Sequence, residues 1–196
     1  MQPTFNNERL GVALRLLSDR LVLAQSTPHE LIICGGSSLI AQGFVSRVTR
    51  DVDVVARRER GVLVSSRPLP AELLEAAERV AADLGLPPRW LNDGPADLFE
   101  MGLPEGCAER LVSRSYGTHL VAWFVGRLDQ IHFKLYAAAD QGPGRHVDDL
   151  LALKPTPDEL LAAARWAFSH DVSPDFRAIV RDMLTKLGHE TVASQL

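Results

Sequence analysis

Apolar residues recur at spacings of three and four between Glu8 and Gln25 (Leu10, Ala13, Leu14, Leu17, Leu21, Ala24), which predicts an amphipathic helix. The pattern then changes. Leu31-Ile32-Ile33-Cys34 is short, continuously apolar and closed by Gly35-Gly36, as expected of a buried central strand. Ser37 to Gln42 fits a short helix whose first turn begins at the glycines and which Gly43 stops. Asp51-Val52-Asp53-Val54-Val55-Ala56 alternates and is β-branched, predicting a second strand with Val52 and Val54 toward the core. Pro70 to Leu84 fits a helix with a stripe of Leu73, Leu74, Ala77, Val80, Ala81 and Leu84, ended by Gly85.

The run Pro87 to Gly94 reads as a turn-rich connection, and Arg110–Tyr116 with Thr118–Val125 as an antiparallel hairpin about Gly117. From Gly126 onward the period is helical. Leu128, Ile131, Leu135 and Ala138 line one helix, and Val147 to Leu153 form a short second one. Thr156-Pro157-Asp158-Glu159 is a capping box that opens a third, and Ser173-Pro174-Asp175 opens the last, closed by Gly188. The expected architecture is α/β in the mixed, α+β sense: a small sheet flanked by helices, then a helical bundle. One domain, 1–196, is expected, with an α/β core over 1–126 and a helical part over 127–196.

Composition narrows the function classes. At 196 residues and 46% hydrophobic, the chain is long enough to fold without a disulfide or metal staple. Its two cysteines, Cys34 and Cys107, make no disulfide framework; Cys34 lies in an apolar run and Cys107 in a loop without an evident base. No stretch reaches the roughly 20 apolar residues of a membrane span, and MQPTFNNERL lacks a signal-like pattern, so a cytoplasmic protein with no membrane partner is expected. The net charge of −4 disfavours a non-specific nucleic-acid coat. A local basic patch (Arg47, Arg50, Arg57, Arg58, Arg60) nevertheless suggests a polyanionic acceptor. Trp123 and Phe124 are expected in the core, and Trp166 in the packing of the helical part.

Two features carry candidate chemistry. In Gly35-Gly36-Ser37-Ser38, between a strand and a helix, glycines allow backbone N–H groups near a phosphate and a serine hydroxyl adds a donor; the same residues also suit an ordinary tight turn. In Arg47-Val48-Thr49-Arg50-Asp51-Val52-Asp53, the two acids lie two apart on a strand and share a face. Like charges so placed require a divalent cation or a neighbouring arginine, Arg47 or Arg50. There is no G-x-G-x-x-G, no G-x-x-x-x-G-K-[ST], no G-x-S-x-G and no H-x-x-x-H. His146 beside Asp148 and Asp149 reads as a helix-start cluster.

Gly35-Gly36-Ser37-Ser38 followed by Gly43, Arg47, Thr49, Asp51 and Asp53 resembles the nucleotidyltransferase superfamily. The G-x-x-x-R-x-T-x-D-x-D form is similar to its bacterial abortive-infection and toxin–antitoxin branch. Trp90-Leu91-Asn92-Asp93, Asp129 with Lys134, and Arg145-His146-Val147-Asp148-Asp149-Leu150 add to that likeness. The resemblance implies Mg²⁺ (or Mn²⁺) and a nucleoside triphosphate as substrate, with transfer of a nucleoside monophosphate to an RNA, protein or small-molecule acceptor. It implies Asp51 and Asp53 as metal ligands and catalytic acids, and Gly35, Gly36, Ser37, Ser38, Arg47, Thr49 and Lys134 as nucleotide contacts. A third carboxylate is usual; strand 118–125 carries none, and Asp93, Asp129 and Asp148 are the candidates for that place. The alternatives are a non-catalytic nucleotide-binding module, or one that docks an antitoxin-type partner, and a structural domain whose aspartates are neutralised by arginine.

Overall fold

A computed structural model describes residues 4–142 and 144–196. It is a mixed α/β structure in two compact units, the first ending at Gly126 and the second beginning at Arg127. In the first unit the helices are α1 (Asn7–Leu23), α2 (Gly35–Ala41), α3 (Ala71–Leu84) and α4 (Ala96–Glu100). The strands are β1 (His29–Cys34), β2 (Val52–Glu59), β3 (Val62–Ser65), β4 (Leu91–Asn92), β5 (Val112–Ser115) and β6 (Leu120–Phe124). They form one sheet in the order β3-β2-β1-β6-β5, with β4 added beside β2. The β1–β6 and β2–β4 pairs are parallel; the others are antiparallel.

The periodicity accounts for the core. Leu10, Leu14, Leu17 and Leu21 of α1, with Leu73, Ala77 and Val80 of α3, cover a sheet face made by Leu31, Ile33, Val52, Val54, Ala122 and Phe124. Ile32 and Val55, which alternation turns to the opposite face, are also fully buried, so β1 and β2 are covered on both sides. This is why β1 reads as an unbroken apolar run.

Four differences from the sequence reading have physical causes. A β-bulge pairs Ile33 with Val54 but Ile32 with Ala56, leaving Val55 as the extra residue and breaking the expected alternation of β2. β2 also continues to Glu59 and returns as β3 through Arg60-Gly61, both at positive φ as a two-residue hairpin turn requires. Leu91–Asn92, expected in a turn, is strand β4, because Trp90 is buried, donates from Nε1 to the Ala77 carbonyl at 2.9 Å and packs on Phe5. Leu74, expected in the buried stripe of α3, is 39% exposed, and Ala76 is buried instead.

The second unit comprises α5 (Arg127–Asp140), α6 (Gly144–Ala152), α7 (Pro157–His170), α8 (Pro174–Lys186) and α9 (Glu190–Ala193). Its last single turn was outside the four helices expected. Thr156 accepts from the Glu159 N–H at 3.2 Å, and the Glu159 carboxylate accepts from the Thr156 N–H at 2.8 Å, completing the capping box. Arg127 grips the same carboxylate, and that hydrogen bond, more than any other group, holds Glu159 below the ordinary carboxylate range. Trp166 packs among His132, Phe133, Tyr136 and His170. Thr156→Ala is expected to lower unfolding free energy by about 1 kcal/mol in urea titration, since it removes one half of the box.

Candidate functional site

The segment joining α2 to β2 returns to the head of α2. Thr49 and Phe5 exchange backbone hydrogen bonds of 2.6 and 3.0 Å, which fixes Thr49 in a buried position. Two residues on, Asp51 stands immediately before β2; its Oδ1 accepts from the Thr49 hydroxyl at 3.1 Å. Asp53 is in register with Cys34, the residue before the diglycine bend.

The bend and the acids therefore occupy one pole of the sheet, and the glycines are needed there for a definite reason. Gly35 has φ +66°, and a Cβ on it would lie 2.6 Å from Asp53 Oδ2. A Cβ on Gly36 would lie 2.9 Å from the Thr49 hydroxyl oxygen and 3.0 Å from Arg47 Nη2. Side chains of this chain thus press directly against both glycines. Arg47, Thr49 and Asp53 are the groups brought together on the bend, with Asp51 tied to them through Thr49.

Asn92 completes the cluster. It is the β4 partner of Asp53 and donates from Nδ2 to Asp53 Oδ1 at 3.2 Å. Its own oxygen accepts from the Gly94 N–H at 2.9 Å, which sets the orientation of the amide. Sequence reasoning placed Asn92 in a turn and gave it no role beside Asp53. The available signal was Trp90, a large apolar side chain inside a polar connection.

Three of the expected contacts have partners within their own unit. The Ser37 and Ser38 side chains are fully buried: Ser37 donates to the Cys34 carbonyl at 3.2 Å and Ser38 to that of Val125 at 3.1 Å. Their hydroxyls fasten α2 to the sheet and are not presented to a ligand. Lys134 belongs to the second unit, where its Nζ is 2.8 Å from Asp149 Oδ2, with side chains 7% and 1% exposed. The Lys134 ammonium is thus buried in an ion pair, not solvated.

The candidate third acids fall in both units. Asp129 and Asp148 lie on α5 and α6; Asp93 follows Asn92 in the first unit. Among the described residues, no group of three or more His, Cys, Asp or Glu side chains is placed to hold a metal ion. At the Asp53 position the neighbour that β4 supplies is an amide.

The arginine run also separates. Arg47 is at the bend, whereas Arg58 is five residues beyond Asp53 along β2, roughly 16 Å away at the usual strand rise. An extended strand carries the two ends of the run to opposite ends of the sheet, so no single basic patch forms. Trp123, expected in the core, is half-buried and lies under Arg58.

One Mg²⁺ ordinarily takes one or two carboxylates from a protein and completes its shell with water and substrate phosphates, and Asp51 and Asp53 are the two carboxylates at this bend. Neutral donors orient one oxygen of each carboxylate, the role that outer-shell groups play around metal ligands. No protein-family model, curated protein or solved structure matches the chain. No described helix is long and apolar enough to cross a membrane.

Proposed function

We propose that the pole formed by Gly35, Gly36, Arg47, Thr49, Asp51 and Asp53 binds the triphosphate of a nucleotide together with Mg²⁺, as the substrate site of a nucleotidyltransferase. The observation that carries this reading is the convergence of Asp53, Thr49 and Arg47 on two consecutive glycines, with Asp51 hydrogen-bonded to Thr49. Asp51 and Asp53 are the residues that would hold the metal, which supplies charge neutralisation at the phosphates when bound. Thr49 and Asn92 keep the carboxylates oriented. Arg47 brings a guanidinium whose fork suits a phosphate oxygen pair.

A second reading is favoured by one observation: β4 sets the Asn92 amide beside Asp53, and among the described residues no group of three His, Cys, Asp or Glu side chains is placed to hold a metal ion. A site with two acids binds nucleotide and metal without turning the nucleotide over. Two measurements separate the readings. Under either, Mg²⁺ with a nucleoside triphosphate at a hundred times Kd stabilises the protein by about 2.7 kcal/mol in thermal melts, and Mg²⁺ alone or nucleotide with chelator does not. Only the transferase releases pyrophosphate on incubation with candidate acceptors. Absence of any stabilisation by all four ribonucleotides would remove both readings.

A further inference from the structure

A cavity of about 580 Å³, within the usual size of small-molecule sites, opens beside the diglycine bend. Helix α2 and the loop after it set its position. Ile40 is four residues beyond Gly36, one turn along the same side of the helix and about 6 Å further along its axis. The Gly43 N–H donates to the Ile40 carbonyl at 3.1 Å, so the chain is still turning as it reaches Phe44. Ile40, Phe44 and Val45 make an apolar part of the lining, and Asn7 and Glu8 at the start of α1 a polar part. Arg47 belongs to both places. It lines this cavity, and its Nη2 lies 3.0 Å from where a Cβ on Gly36 would stand.

The lining selects its occupant. Among the described residues its charges are one guanidinium, Arg47, and one carboxylate, Glu8, so it has no surplus of positive charge for a chain of phosphates. Phe44 is the only ring in the lining among the described residues, and it is half-buried, with part of its surface open. A flat group with apolar faces and a hydrogen-bonding edge suits this mixture. Every nucleobase is such a group, and an aromatic side chain stacks on its face whatever the edge carries.

We propose that this cavity takes the nucleoside end of the nucleotide, its base against Phe44, with Arg47 standing between the base and the triphosphate. The inference rests on the nucleotide reading of the bend. It adds the direction in which the nucleotide runs from there, past Arg47 toward the start of α1.

Tripolyphosphate, which is the nucleotide's phosphate chain without a nucleoside, separates the two. Calorimetric titration of the intact protein with Mg²⁺–tripolyphosphate and with the Mg²⁺ complexes of ATP, GTP, CTP and UTP gives the Kd of each. At least one nucleotide is expected to bind tenfold or more tighter than tripolyphosphate. Phe44→Ala is expected to weaken that nucleotide about 5- to 150-fold, the range for losing one base–aromatic stack, and to leave the tripolyphosphate Kd within twofold. Ser46→Trp places an indole at an exposed position of the lining, where the fold does not depend on the serine, and is expected to act the same way by filling the cavity. Tripolyphosphate binding as tightly as the best nucleotide overturns the inference while leaving the phosphate site at the bend in place. Full nucleotide affinity in either variant, or an equal loss of tripolyphosphate, overturns it too. No binding of tripolyphosphate or of any nucleotide removes the reading of the bend and this inference with it.

Discussion

Asp53→Asn is expected to erase the stabilisation that Mg²⁺ and a nucleoside triphosphate give the wild-type protein, a loss of about 2.7 kcal/mol at a ligand concentration that saturates the native site. The substitution keeps the shape of the side chain, which lies against Gly35, so the bend is undisturbed. It removes one of the two negative charges available to the metal. A hard cation that keeps much of its own water shell relies on such charges, and a neutral amide is a poor replacement. Any pyrophosphate release seen with wild type is expected to fall to background in the same variant. Asp51→Asn is expected to behave alike, because Thr49 holds that carboxylate at the same bend. Asp93→Asn is the control and should bind normally. Retention of the thermal shift in both Asp51 and Asp53 variants, or its loss only in Asp93→Asn, would place the nucleotide elsewhere.

Asp149→Ala is expected to lower the unfolding free energy by 3–5 kcal/mol, in the range of about 3–5 typical when one partner of a buried pair is removed. Lys134 is 7% exposed and Asp149 1%, so the alanine leaves an ammonium without its counter-charge in a site that water scarcely reaches. Replacing both residues together, Lys134→Met with Asp149→Leu, is expected to recover most of the loss, since an apolar pair of similar bulk needs no desolvation. Urea titration of the three proteins checks this. A cost under about 1 kcal/mol for the single variant would mean the pair behaves as a surface contact.

The same Lys134 shows where sequence reasoning stops. A lone helical lysine is ordinarily solvated, and a lysine near an acidic motif invites a phosphate role. The solvated lysine does not hold here, because Asp149 arrives from the next helix and the two charges are buried together. Nothing in the spacing of Lys134 on its own helix announces that partner. Ser37 and Ser38 teach the complementary lesson. Their place at a helix start fits a phosphate donor, yet β6 ends beside them and the Val125 carbonyl takes the Ser38 hydroxyl.

Local rules were sufficient for what depends on neighbours in the chain. The 3.6-residue period set α1, α3 and α7; the β-branched run set β1; the box at Thr156 and the positive-φ glycine at Gly85 set helix ends. The Arg60-Gly61 turn belonged to the same local class, but β3, at four residues with none fully buried, is too short and too exposed to stand out from its sequence. The nearness of Asp51 and Asp53 in the sequence was also legible, though Asp51 stands just before β2 and not within its alternation.

What joined those acids to the diglycine bend was the antiparallel register of β1 with β2. What gave Asp53 an amide neighbour was a two-residue strand anchored by the burial of Trp90. The fate of each buried polar group was likewise decided across the fold. A sequence fixes which faces are apolar, because that depends on period. It leaves open which distant donor or charge meets a given side chain, because that depends on how separate elements close over one core.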